Sequence, residues 1–357
     1  MTMRSVQLLE TAHPLVDREV RRPDPGPMDA LLRVKAAGIC RSDLHYRTGT
    51  SFAGPLPLTL GHENAGVVES LGVDAASQAR GLGIEVGDRV AVHYLISCGS
   101  CRFCMAGHEQ FCADGAMIGK HVDGGFAEFL RVPVRNLVPV PDGVPSEWAA
   151  VMMCSTATAV HALHRAELRA GDRVAVYGVG GLGISAVQLA LAMGALEVYA
   201  IDIDADRLAR AARLGAVTVH SLDGDPAGVV SELSCGGVDV AIEVLGLPET
   251  IDAAIRSLAP LGRAAIAGIA EKPASINTYR DVVGREACVV GVSDHTRAEA
   301  EYVLDLAARG KLSFNEVITA KLPLEAAEVN RVLDGLAEFA PGVRAVVVPG
   351  APPTSLL

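Results

Sequence analysis

The sequence predicts an α/β chain made of a mostly β unit and a doubly wound parallel sheet. Three observations carry this. The 357 residues are enough for about two domains. Short apolar runs bounded by Gly and Pro, such as Leu31–Val34 and Arg89–Val92, fill residues 1–148. From residue 149 helical patterns alternate with short apolar strands, the pattern of crossover connections in a parallel sheet.

In chain order, the β unit runs to a boundary marked by Pro139, Pro141, Pro145 and the turn pair Asp142-Gly143. Six strands are then expected at Val174–Tyr177, Glu197–Ile201, Val217–His220, Val238–Val244, Arg263–Gly268 and Ala287–Val290. A helix follows over Arg297–Arg309, and a β stretch over Val343–Val348 is expected to return to the first unit. The division expected is residues 1–148 with 292–357 as one domain and 149–291 as the other. No internal repeat, low-complexity segment or long linker interrupts the chain.

Half of the residues are hydrophobic and only 4% are aromatic, which describes a globular protein with an aliphatic core. The net charge of −11 argues against nucleic acid as a partner, because phosphate binding needs a basic face. No apolar segment for export is visible at the N-terminus, so a cytoplasmic, thiol-reducing setting is expected. Val174–Leu196 carries no charge, yet its four glycines from Gly178 to Gly183 would break a membrane helix. A buried strand followed by a buried helix accounts for it, and no membrane partner is expected.

Four of the eight cysteines follow the spacing Cys98-x2-Cys101-x2-Cys104-x7-Cys112. One short loop of this kind can wrap a Zn²⁺ ion with four thiolates at roughly 2.3 Å. A disulfide framework suits small secreted domains and not a chain of this length. An iron–sulfur cluster of comparable spacing usually ends in Cys-Pro, whereas Ala113 follows Cys112. Four thiolates leave no open position, so this zinc should hold structure and the chemistry should lie elsewhere.

Gly178-Val179-Gly180-Gly181-Leu182-Gly183 follows the apolar strand VAVY and opens the helix ISAVQLALAM. Glycines at those positions permit the tight turn, the approach of backbone to a pyrophosphate, and the packing of helix on strand. The phosphates then face the free N–H groups and positive end of the helix. Asp202 ends the next strand, 19 residues past Gly183. A carboxylate there accepts from the adenosine ribose hydroxyls and repels a 2′-phosphate, and Ile203 supplies no cation in compensation. NAD is therefore expected over NADP.

Further candidate ligands stand in three separated segments: GICRSDLH with Cys40, Ser42, Asp43 and His45; GHE with His62 and Glu63; and VMMCSTAT with Cys154. Two thiolates and a neutral imidazole would neutralise Zn²⁺ and leave a fourth position open. Spacing alone does not bring these segments together.

Taken in order, GICRSDLH, LTLGHENAGVV, VGDRVAV, the four-cysteine lobe, GGFAEF, Cys154, GVGGLG and Asp202 resemble the zinc-dependent alcohol dehydrogenases of the medium-chain dehydrogenase/reductase superfamily. The resemblance spans nearly the whole chain. It implies a GroES-like catalytic domain with a Rossmann domain inserted before a C-terminal return. It implies two zinc ions per chain, the catalytic one held by Cys40, His62 and Cys154 with Glu63 able to exchange. It implies that Asp43 supports the zinc histidine, that Arg41 reaches the cofactor pyrophosphate, and that Thr158 and Leu182 pack around the nicotinamide. Arg207, Gly268, Ile269 and Val292 are implied as further cofactor contacts. Ser42, Tyr94 and Met117 would line the substrate pocket, and Ser42 with His45 would relay a proton. A homodimer or homotetramer acting on a small alcohol or carbonyl is implied as well.

Three departures qualify the resemblance. The segment VDAASQARGLGIEVGD is longer than the usual connection. A one-residue slip would put His93 in the place of Tyr94. The third ligand is cysteine where polyol and threonine dehydrogenases usually carry glutamate, which weakens a polyol or amino-alcohol reading. A non-catalytic NAD-binding protein is the more distant alternative, and the intact open-site ligands speak against it.

Overall fold

The computed structural model describes residues 1–270, 272–338 and 344–351. The β-rich part centres on a seven-stranded sheet whose middle strand is Asp29–Ile39. Leu32, Val34 and Ala36 recur at every second position of that strand and are buried, the period that puts one face on a core. Its partners are Glu63–Leu71, Phe129–Pro133 and Arg344–Val347, all antiparallel. Register then does the positioning. Gly38 pairs with Glu63, and Ile39 pairs with Ala345. Cys40, His62, Glu63 and Arg344 therefore leave the sheet at one corner.

The long connection after Gly72 contains a helix, Ala76–Gly81, seated by buried Ala75, Ala79 and Ile84. At the expected boundary the chain does not form a linker. It enters a helical run from Ser146 to Arg165 that is α over Ser146–Val151, π over Met152–Thr156 and α again over Ala157–Arg165. Its first segment packs on the β-rich sheet, and the π turn packs against the nucleotide helix Gly181–Ala192.

The second sheet is six-stranded, parallel throughout, with strand order 3-2-1-4-5-6 in chain sequence. All six expected strands form, as Arg173–Tyr177, Glu197–Asp202, Val217–His220, Val238–Glu243, Leu258–Ile266 and Cys288–Gly291. Val174, Val176, Ala200, Val240 and Ile242 are fully buried, since helices cover both faces. The glycine loop emerges from the first strand where the order reverses, the switch point at which such sheets bind ligands.

Helix Arg297–Ala308 forms as expected but packs on Ala157–Arg165 through Ala300, Val303 and Leu304. The chain rejoins the β-rich sheet only at Ile318–Leu322, so the return expected at 292 comes later. The final strand is Arg344–Val347, and Val343, like residues 352–357, lies outside the described residues. Among the described residues no helix is long and apolar enough to cross a membrane.

Candidate active site and zinc centres

Cys40 is the N-cap of helix Arg41–Thr48. Asp43, at the third helical position, accepts from the Cys40 N–H at 2.9 Å with one oxygen and from His62 Nδ1 at 3.1 Å with the other. One buried carboxylate thus fixes the helix start and the imidazole orientation, the support a metal-binding histidine needs. Cys154 sits in the π turn, a local unwinding that recurs at functional sites. Its Sγ lies 3.3 Å from His62 Nε2 and 4.0 Å from Cys40 Sγ. Ligand atoms of Cys40, His62, Glu63 and Cys154 all fall within 4.8 Å of one another.

Four bonds of about 2.3 Å in a tetrahedron separate ligand atoms by about 3.8 Å. The thiol pair meets that spacing, and Glu63 Oε1, buried without a hydrogen-bond partner, adds an unmet demand for a cation. The residues present fit zinc. Burial raises the Glu63 carboxyl to about 7 against the opposing charge of Arg344. Burial disfavours charge on His62, yet Asp43 beside it raises its pKa well above the ordinary value. Ser42 Oγ stands 3.8 Å from Cys40 Sγ, and His45 follows three residues later on the same helix face.

The four-cysteine lobe also gathers its thiols, with all four Sγ atoms within 4.8 Å of one another. Cys98 Sγ is 3.9 Å from Cys104 Sγ, and Cys101 Sγ is 3.5 Å from it. Gly99 has φ of 75°, which lets the loop fold back so that Cys98 Sγ accepts from the Cys101 N–H at 3.3 Å. Backbone N–H groups of Ser100 and Cys101 lower the Cys98 thiol to about 6, the thiolate character a metal ligand needs. All eight cysteines are free of disulfides.

In the nucleotide cleft, Gly180 caps helix Gly181–Ala192 and Gly178 has φ of 93°. Gly183 touches the Gly178 carbonyl so closely that a Cβ would come within 1.7 Å of its oxygen. Asp202 is 5% exposed and accepts from the N–H groups of Val179, Ile203 and Asp204, so it braces the glycine loop. Leu182 packs half-buried on the core, and Val292 is half-buried with its N–H on Ile266. Gly268 is pressed against Gly246, while Ile269 is exposed at 68%. Arg207 lies beside Asp204 at 3.7 Å, and Arg41 donates to the Leu336 carbonyl at 3.2 Å.

Of Tyr94 and His93, Tyr94 is the one that lies against the metal corner. Its ring stands edge-on to His62, with centroids 5.2 Å apart. His93 is equally buried, and burial with the charge of Arg297 lowers it to about 3. Met117 pairs with Leu95 and packs on the same core as Tyr94. Sequence reasoning missed three residues here. Arg344 is buried, pairs with Glu63 and presses its stem against Gly181, so it spans the metal corner and the glycine loop. Asp294 accepts from the Tyr94 hydroxyl at 2.8 Å, and His295 places Nδ1 3.4 Å from Thr158 Oγ1. Nothing local marks Arg344. Thr296-x-x-Glu299, which the structure forms as a capping box, would have drawn attention to the Asp294-His295 pair before it.

Two family models match the chain: the alcohol dehydrogenase GroES-like domain over residues 26–142 and the zinc-binding dehydrogenase over residues 181–309. An alcohol dehydrogenase of Geobacillus stearothermophilus is 34% identical over 334 residues, covering 93% of this chain and 95% of its own. A zinc-binding dehydrogenase of Sinorhizobium meliloti 1021, solved with NADP, superposes with a TM-score of 0.88 at 31% identity, over 98% of this chain and 100% of its own. The 2R,3R-butanediol dehydrogenase of Bacillus subtilis gives a TM-score of 0.88 at 28% identity, over 98% and 100%.

Proposed function

We propose, for a chain that belongs to the zinc-type alcohol dehydrogenases of the medium-chain dehydrogenase/reductase superfamily, the reversible oxidation of a primary or secondary alcohol to its aldehyde or ketone with NAD as cofactor. The observation that carries this is the adjacency of a Cys–His–Cys metal corner and a glycine-loop cleft, joined by Arg344. Neither half alone distinguishes a redox enzyme from a binding protein. Together they hold a carbinol and a nicotinamide in one place.

In this reading Cys40, His62 and Cys154 hold the catalytic metal, and Cys98, Cys101, Cys104 and Cys112 hold a second, structural one. Bound zinc supplies Lewis acidity that lowers the pKa of the substrate hydroxyl, and bound NAD⁺ accepts the hydride. Asp43 keeps His62 Nδ1 protonated, so that Nε2 presents its lone pair. Ser42 Oγ takes the hydroxyl proton, and His45 releases it to solvent, so each turnover sheds one hydride and one proton. The Asp202 carboxylate favours NAD through the ribose hydroxyls. Tyr94, Met117 and the buried Ile118 exclude water from the reacting carbon.

The test is turnover of a primary and secondary alcohol panel by the zinc-loaded protein with NAD⁺ and with NADP⁺, followed at the reduced-cofactor absorbance band. NAD⁺-dependent oxidation is expected, with Cys154→Ala slower by orders of magnitude and its parallel sheet intact. Failure with every alcohol, or full turnover by Cys154→Ala, would overturn the assignment.

A further inference from the structure

We propose that Glu109 is a positioning residue: its carboxylate carries the fold of the four-cysteine lobe to the segment Asp294-His295, which backs Tyr94 beside the metal corner. The lobe then sets the shape of the reaction cleft as well as stabilising the chain. The inference rests on the dehydrogenase reading above and adds a part to it.

Glu109 opens the 3-10 turn Glu109–Phe111, between Cys104 and Cys112. Its carbonyl accepts from the Cys112 N–H at 3.0 Å, and Cys112 Sγ accepts from the Cys98 N–H at 3.2 Å. The backbone of Glu109 is thus tied to the ligand loop itself. Its side chain leaves the lobe. Oε1 accepts from the Arg297 N–H at 2.6 Å, across 188 residues of sequence, and stands 3.8 Å from Nε2 of His93, whose ring stacks on Tyr94.

A helix start leaves its first N–H groups without intrahelical acceptors. At Arg297–Ala308 the capping box serves Thr296 and Glu299 reciprocally. The Arg297 N–H lies outside the box and takes Glu109, whose negative charge also suits the positive end of the helix dipole. The Arg297 guanidinium donates to the Leu137 carbonyl at 2.8 Å, so one residue makes two ties from this helix to the β-rich part. Just before the helix, Asp294 accepts from the Tyr94 hydroxyl, and fully buried His295 sets its ring against His93 and Tyr94 with Nδ1 on Thr158. Asp294 has φ of 51°, a conformation that persists where surrounding structure enforces it. Tyr94 itself precedes Cys98 by four residues, so the lobe holds that side of the wall through the chain. Glu109 holds the other side, through the helix start.

The test is hydrogen–deuterium exchange over residues 292–300, with alcohol kinetics and NAD⁺ calorimetry, in the zinc-loaded full chain and in Glu109→Ala, Glu109→Gln and Cys101→Ser. Glu109→Ala should keep the wild-type zinc content, exchange residues 292–300 about tenfold faster and lower kcat/KM about tenfold, as the loss of one hydrogen bond to a charged acceptor supports. Its NAD⁺ affinity, set at the glycine loop and Asp202, should stay within about twofold, as distant sites do. Glutamine still accepts, so Glu109→Gln should recover most of the protection and turnover. Cys101→Ser should speed exchange over 292–300 when Glu109 is present and add less than about twofold when it is alanine. A merely structural role would lower the melting temperature while leaving kcat/KM, and the exchange of 292–300 relative to the rest of the chain, unmoved. Unchanged exchange over 292–300 in Glu109→Ala overturns the proposal, as does an effect of Cys101→Ser that is as large without Glu109 as with it. Should Cys101→Ser not fold, the alanine and glutamine variants decide, and equal loss in both overturns it. A chain that oxidises no alcohol loses the dehydrogenase reading, whereas the exchange still decides whether Glu109 holds this segment.

Discussion

Two glycines three residues apart should respond to alanine in opposite ways. A Cβ at Gly183 would sit 1.7 Å from the Gly178 oxygen and 2.8 Å from its carbonyl carbon. The obstacle is backbone, so no side chain can swing aside and the helix must lift off the strand. Overpacking costs about 1–3 kcal/mol, and a clash this close belongs at the upper end. With about 2–4 °C per kcal/mol for units of this size, Gly183→Ala should lower the melting temperature by about 6–12 °C. At Gly180 nothing stands within 4 Å of the added carbon, and φ is −69°, which any residue adopts. Gly180→Ala should therefore melt within about 2 °C of wild type. Its methyl nevertheless occupies space at the helix N-terminus, where a pyrophosphate needs the backbone bare. Calorimetric titration with NAD⁺ should show affinity reduced at least tenfold, about 1.4 kcal/mol. Unchanged melting of Gly183→Ala would refute the packing argument. Unchanged NAD⁺ affinity of Gly180→Ala would refute the placement of the phosphates.

Elemental analysis should find two zinc ions per chain, and Cys101→Ser should lose one of them together with folding stability; one zinc or none in wild type would refute this. Asp202→Ser should weaken NAD⁺ binding and relax the exclusion of NADP⁺, and equal cofactor preference before and after substitution would count against the ribose assignment. His45→Gln should slow oxidation near neutral pH, with partial rescue by small buffer bases; an unchanged pH profile would remove His45 from the proton path. Burial alone would raise the Glu299 carboxyl, but hydrogen bonds from His161 and His164 hold it well below the ordinary range. A depressed carboxylate contributes stability above its unfolded pKa of about 4.3 and loses it as pH falls further. Glu299→Gln should thus be least stable relative to wild type at neutral pH, with the gap closing below about pH 4 in urea unfolding. A gap that widens in acid would contradict the assignment.

What could be read from the sequence follows the separation of the parts. The cysteine lobe closes within fifteen residues, and the glycine loop joins its own strand and helix, so both carry their geometry in local spacing. The six strands of the parallel sheet were legible because a sheet buried on both faces needs unbroken apolar runs. Boundaries were less so. The prolines before residue 146 mark a boundary by their turn chemistry, yet Pro145 caps a helix, because proline fits a helix start as well as a turn. The expected division puts helix Arg297–Ala308 with the first unit, whereas an amphipathic pattern shows only that a face is buried and not against what.

The candidate metal corner is a different kind of object, assembled from residues 40, 62–63, 154 and 344 by strand register. Gly38 opposite Glu63 is an arrangement no window of sequence contains, and a Cβ at Gly38 would strike the Glu63 carboxylate. Resemblance pointed to Cys40, His62 and Cys154 as candidate ligands but not to Arg344. That arginine shows why the C-terminal strand must return to the first sheet. It brings a buried cation to Glu63, where leaving the carboxylate unpaired would cost about 3–5 kcal/mol. The same side chain rests on Gly181, so the strand that completes the β-rich sheet also closes the cofactor cleft. Metal corner and nucleotide loop are therefore coupled through one residue contributed by the last described strand, and a change at either should be felt at the other through Arg344.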